Sequence, residues 1–159
     1  MQRRSRRGAS RERSALGPRR AHGCPHVRDD RRKRIVARYY REVLEGRRLD
    51  VMEELVAPGF VGHDPAGATM DRAGYFDAVR MLHDGFGDLE VSIDDQMAEG
   101  DRVTTRWSAV GVHIGWFAGI PPTGREVTMA GIDIHRLDGD RLVELWEQLD
   151  LATLVAQML

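Results

Sequence analysis

A chain of 159 residues has room for one domain built around a single core and for little more. Its one cysteine, Cys24, forbids an intrachain disulfide, no Cys/His set has zinc spacing, and no apolar run approaches the roughly 20 residues that span a bilayer. The net charge of −1 conceals two opposed stretches: residues 1–34 carry 13 Lys+Arg against 3 Asp+Glu, and the remainder carries 11 against 22.

The basic stretch, with Arg3, Arg4, Arg6, Arg7, Arg11, Arg13, Arg19 and Arg20, has almost no apolar side chain to bury. Residues 1–30 are therefore expected to form a disordered basic tail, and residues 31–159 the folded domain. The tail lacks the interleaved aromatics of a nucleic-acid-binding arm, and the acidic body would repel the same phosphates. Nucleic acid and membrane are not expected partners, and a reducing cytoplasm is the expected compartment.

Asp29 and Asp30 can cap a helix whose apolar positions Ile35, Val36, Tyr39, Tyr40, Val43 and Leu44 recur at one-turn spacing, with Gly46 as its stop. Asp50 and Glu53 have the spacing of a capping box for a short second helix that Pro58-Gly59 ends. The segment from Phe60 to Met70, rich in glycine and proline, reads as irregular, with His63 on it. Asp71 can cap a third helix through Tyr75, Phe76, Val79 and Leu82.

After Gly87 the period changes from helical to alternating. Leu89, Val91 and Ile93 against Glu90, Ser92 and Asp94 predict a half-buried strand. A turn at Glu99-Gly100-Asp101 leads to a second strand, 103–113, with Thr105, Trp107, Ala109, Gly111 and His113 on one face. A Gly-Pro-rich excursion separates it from a third strand, 126–137. Asp138-Gly139-Asp140 turns into a fourth, 142–148, and a terminal helix runs from 151 to 158 with Asp150 as its N-cap. Helices followed by an antiparallel meander predict an α+β fold with helices packed on one face of the sheet.

Residues 113–125, His-Ile-Gly-Trp-Phe-Ala-Gly-Ile-Pro-Pro-Thr-Gly-Arg, resemble the HxGxFxGIPPTGR signature of SnoaL-like ester cyclases. The similarity continues through Gly131-Ile132-Asp133, Asp138-Gly139 and the run from Val143 to Asp150. The resemblance implies a cone-shaped α+β barrel, with N-terminal helices on a curved, mostly antiparallel sheet, shared with nuclear transport factor 2, ketosteroid isomerase and limonene epoxide hydrolase. It also implies a homodimer paired across the outer sheet face, and an aldol ring closure of a polyketide-like substrate begun by a carboxylate, with no metal or organic cofactor. Glu147 stands where the family's aspartate base is expected, and Asp133 where the family has a histidine, with His135 two residues on and on the same face.

Removing a proton flanked by carbonyls needs a carboxylate made more basic by an apolar pocket, and donors where enolate charge develops. The expected roles are Glu147 as base, His135 or His113 as the hydrogen-bonding acid, and Asp133 as an orienting group or alternative base. Tyr39, Met81, Met97, Trp107, Trp116 and Phe117 are candidates for an apolar wall, and His63 for a residue closing the pocket. Plainer roles stand beside these: Glu147 in a salt bridge to Arg106 or Arg136, His63 in a solvated turn, Trp146 in a subunit interface. Two other functions fit the same elements. One is an epoxide hydrolase using Glu147, Asp133 and Arg106; the other is a non-catalytic small-molecule-binding module.

Overall fold

The computed structural model describes residues 25–159. Helix α1 (Pro25–Arg38) passes directly into a π-helical segment, Tyr39–Glu45, and a short helix α2 (Leu49–Leu55) follows. Strands β1 (Val56–His63) and β2 (Thr69–Asp71) precede helix α3 (Arg72–Gly85). Then come β3 (Phe86–Glu99), β4 (Arg102–His113), β5 (Glu126–Asp138), β6 (Arg141–Leu149) and the terminal helix α4 (Leu151–Met158). The sheet order is β2-β1-β6-β5-β4-β3, antiparallel throughout except where β1 lies parallel to β6.

The meander β3–β6 and helix α4 lie within a few residues of their predicted positions, because strict alternation marks a strand with one dry face. On β4, Val103, Thr105, Trp107, Ala109, Gly111 and His113 are all buried, and the residues between them are not. The caps at Asp71 and Asp150 form as expected, each carboxylate accepting from the backbone N–H three residues on, at 2.9 and 3.1 Å. Each such cap stabilises its helix by about 1 kcal/mol.

Three expectations fail near the N-terminus. Helix α1 begins at Pro25, inside the stretch assigned to the tail, so Asp29 and Asp30 lie within the helix instead of capping it; the rest of the predicted disordered tail, residues 1–24, falls outside the described residues. Asp50 sits in the first turn of α2 and pairs with Arg48 at 2.7 Å, with no capping box. The supposedly irregular segment begins as strand β1, in which Val61, Gly62 and His63 pair with Glu144, Leu145 and Trp146. Pro58-Gly59 misled because it falls where the β1–β6 pairing is interrupted, between Val56 and Val61, so the missing proline N–H leaves no ladder bond unmade.

The π-helical segment replaces what the periodicity predicts as plain α-helix. Its four buried residues, Tyr39, Tyr40, Val43 and Leu44, come as two adjacent pairs. Widening the helix by one residue per turn lets both members of a pair face inward. Arg47 follows at a positive φ of 56°, and its guanidinium donates to the carbonyls of His83 (2.8 Å) and Phe86, closing the end of α3.

Candidate active site

Strands β5 and β6 bring Asp133 and Glu147 directly opposite each other, and the alternation of both strands turns the two carboxylates to the helix-covered face. They meet a cavity of about 320 Å³ between the sheet, α3 and the π-helical segment. The wall is mostly apolar: Leu44, Val79, Leu82, Met129, Leu145 and Leu149 line it, with Tyr39, Tyr75, Trp107 and Phe117 as its aromatic surface. Asp64 and Pro65 also line it, and among the described residues no lysine, arginine or histidine does.

Asp133 is only 4% exposed. Its Oδ2 accepts the Tyr40 hydroxyl at 2.5 Å, and its Oδ1 is buried without a partner. Burial pushes its pKa up to about 7, repulsion from Glu147 adds to the rise, and Tyr40 and the nearby Trp107 indole oppose it. The Trp107 N–H stops short of a hydrogen bond and is itself unpaired. Trp107 can lie there because its register neighbour is Gly131: a Cβ on Gly131 would sit 2.7 Å from the indole and 2.7 Å from the Gln148 carbonyl oxygen.

Glu147 is half-buried and makes no hydrogen bond or ion pair among the described residues. Its pKa is raised, first by desolvation and then by the charge of Asp64. Asp133, the deeper of the two, also feels the charge of Glu147, and both carboxyls are pushed above their ordinary range. The arginines named as possible partners lie on the opposite face: Arg106 pairs with Asp94 at 3.1 Å and Arg136 with Glu144 at 2.8 Å. A carboxylate–arginine water-activating set built on Arg106 is therefore not assembled.

The histidines are placed elsewhere than a cavity role requires. His135 is fully buried beyond the cavity, against the rings of Tyr39 and Tyr40 at 5.6 and 6.0 Å, with both ring nitrogens unpaired. Burial lowers its pKa to about 3, so it is neutral. His113 is also fully buried and braces the signature loop: its Nδ1 meets Thr123 Oγ1 at 3.1 Å, and its backbone bonds to Arg125 and Gly124. His63 lies on the outer face, stacked on Trp146 (5.2 Å between centroids) and 3.0 Å from Glu144.

Of the wall residues, Tyr39, Met81, Trp107 and Phe117 reach the cavity, whereas Trp116 and Met97 are exposed and do not. The signature loop folds against the end of α3, with Ile114 and Gly115 N–H both donating to the Gly85 carbonyl. A Cβ at Gly115 would lie 2.1 Å from the Asp84 carbonyl oxygen, so this motif glycine is a packing requirement.

Sequence reasoning missed Tyr40, Tyr75 and Asp64 as site residues. The tandem Tyr39-Tyr40 was visible but reads as core. Asp64 follows a strand not recognised as one, so its side of the chain could not be assigned.

An α+β cone with helices packed over a mostly apolar, carboxylate-bearing cavity is the nuclear transport factor 2-like class of fold. The sequence pattern of SnoaL-like polyketide cyclases matches residues 34–158, and the chain belongs to that family. Among solved structures it is similar to IdmH, a "putative polyketide cyclase" of Streptomyces antibioticus, at 31% identity over 79% of this chain and 96% of that one, with a TM-score of 0.69. A protein of the same description from Acidithiobacillus ferrooxidans is 30% identical over 80% of this chain and 94% of that one, with a TM-score of 0.69. AclR of Streptomyces galilaeus, a "putative hydroxylase", shares the fold at 22% identity over 81% of both chains, with a TM-score of 0.75. None of the curated proteins matches this chain.

Proposed function

We propose that this protein is a cofactor-independent acid/base enzyme that closes a ring in a polyketide-type substrate by intramolecular aldol reaction. The observation that carries the reading is the Asp133–Glu147 pair, unneutralised by any cation among the described residues, at the wall of an apolar cavity. Asp133, with its pKa pushed up to about 7, shares or holds a proton near neutral pH, and Glu147, the more exposed of the two, is made more basic by burial, which gives two neighbouring carboxyls different duties. Glu147 takes the acidic proton from a carbon between carbonyls. The enolate carbon attacks a second carbonyl of the same molecule, a carbon–carbon bond forms, and the resulting alkoxide recovers the proton from Glu147. No oxidant, reductant or leaving group is required. Asp133, held by Tyr40, sets the charge and orientation of the base.

His135 is neutral and beyond the cavity, so it supports the shape of the site and not proton transfer. The same reading includes a homodimer across the outer sheet face, where Val110 and Ile132 are 39% and 48% exposed. Light scattering of the wild type and Ile132→Asp should give twice the monomer mass for the first and the monomer mass for the second.

The catalytic test mixes the full-length protein with a panel of linear polyketide methyl esters and follows products by mass and ultraviolet absorption. Ring closure by the wild type and its loss in a folded Glu147→Gln variant is the expected result. Ring closure undiminished in that variant would remove Glu147 from the chemistry.

A further inference from the structure

Asp133 and Glu147 account for proton removal but leave the other half of enolate chemistry open: something must receive the charge that develops on the carbonyl oxygen. The cavity wall holds two phenols that the proton-transfer scheme does not use. Tyr39 and Tyr75 are each 4% exposed, both line the cavity, and their rings stack at 6.0 Å between centroids with 24° between planes. Phe60 also stacks on Tyr75, at 4.6 Å and 16°, and Tyr40 meets Tyr39 edge-on at 5.4 Å. Both rings are clamped, so their hydroxyls have little freedom to seek a partner.

The Tyr75 hydroxyl has no hydrogen-bond partner although it is buried. An unmet buried hydroxyl costs roughly 1–3 kcal/mol, and on a ring that lines an apolar cavity it is met when a bound ligand displaces the wall enough to bring it an acceptor. The Tyr39 hydroxyl lies near enough to influence that of Tyr75 without bonding to it. Burial holds both phenols protonated well above their ordinary range, so each remains a donor wherever the protein is folded. The remaining cavity polar groups are carboxyls and the Trp107 N–H, which faces Asp133.

We propose that Tyr39 and Tyr75 form a paired-phenol site that binds the carbonyl oxygen of the substrate and stabilises it as an enolate. This rests on the acid/base reading above and names its missing half. It also restricts the substrate: the acidic carbon must lie beside a carbonyl whose oxygen points to α3 and the π-helical segment while its proton points to β6. Two phenol donors on one wall of the cavity favour a ketone or ester oxygen, planar with the rest of the molecule, over an ether or an alkyl chain.

The test does not need the natural substrate. An ionised phenol mimics an enolate oxygen, and Glu147→Gln mimics the state in which the base has taken its proton. Binding of 3,4-dinitrophenol, which is ionised just below neutral pH, is followed by its absorption in Glu147→Gln and in the same protein carrying Tyr39→Phe, Tyr75→Phe or both. Its methyl ether, which carries no charge, is the control for packing.

Each phenylalanine should weaken phenolate binding roughly tenfold or more, with the ether changing less than about threefold. Phenolate affinity unaltered by the double substitution, or a loss equal for phenolate and ether, would overturn the proposal. Failure of the base reading appears separately, as ring closure that survives Glu147→Gln while the phenolate still requires the tyrosines.

Discussion

Strand β6 carries two glutamates three residues apart, and their environments are opposite. Glu144, on the outer face, is held by Arg136 at 2.8 Å and His63 at 3.0 Å, and these partners keep its carboxyl below the usual glutamate range. Glu147, on the inner face, has no cation partner among the described residues and is pushed above that range by burial and by Asp64. The same side chain on the same strand is a neutralised structural group on one side and a basic, available one on the other. Their odd separation puts them on opposite faces, and the lack of a partner among the described residues is what sets the inner carboxylate apart.

The sharpest way to break this comparison is to exchange the outcomes of the two substitutions. Glu147→Gln should lower the ring-closure rate by about 10²–10⁴-fold, the usual worth of a positioned general base, whereas Glu144→Gln should leave it within a few-fold. Comparable losses in both would mean that the two faces do not differ in function.

Stability should separate the faces in sign as well as size. Asp133 has a folded pKa of about 7, above its unfolded value, so its contribution favours the folded state in acid and is lost as pH rises through about 7. Asp133→Asn should therefore raise the melting temperature at pH 8 relative to wild type by the equivalent of a few kcal/mol, with the gain shrinking toward pH 4. Glu144 has a lowered pKa, so its contribution is present above its unfolded value and lost as pH falls. Glu144→Gln should cost less than about 1 kcal/mol at neutral pH, and the difference from wild type should fade in acid. Thermal melts across pH read both.

A third change acts on the shape of the inner face without touching a charge. Gly131→Ala drives a methyl group into the Trp107 ring and the β6 backbone and should destabilise the protein by about 1–3 kcal/mol. Denaturant unfolding measures this. The smallest effect is expected at Trp116, which is 68% exposed and outside the cavity. Trp116→Ala should change stability by no more than about 0.5 kcal/mol, in keeping with its variable position between the signature's Gly115 and Phe117.

What the sequence disclosed follows from which physical rule was periodic. Asp133 and Glu147 could be assigned to adjacent strands because a tight turn at Asp138-Gly139-Asp140 joins β5 to β6, but the bulge next to Arg136 and Leu137 that brings them directly opposite has no signal in the sequence. Depth along a strand has none either. His135 shares the inner face with Asp133, yet about 7 Å further along β5 it has left the cavity for the core. His63 and Asp64 were legible only if β1 was known to be a strand, since a shift of one residue exchanges the faces. The inward turn of both Tyr39 and Tyr40 depends on a π-helical segment that helical spacing does not announce.

Carbon-detected titration of the side-chain carboxyls observes Glu144, Glu147 and Asp133 in one sample and requires no substrate. The inner-face account predicts that Asp133 titrates near 7, Glu147 above the ordinary glutamate value and Glu144 below it. Asp133 and Glu147 titrating at or below their ordinary values would contradict it, because a hydrated or neutralised pair has neither the basicity nor the dry setting that the proposed chemistry needs.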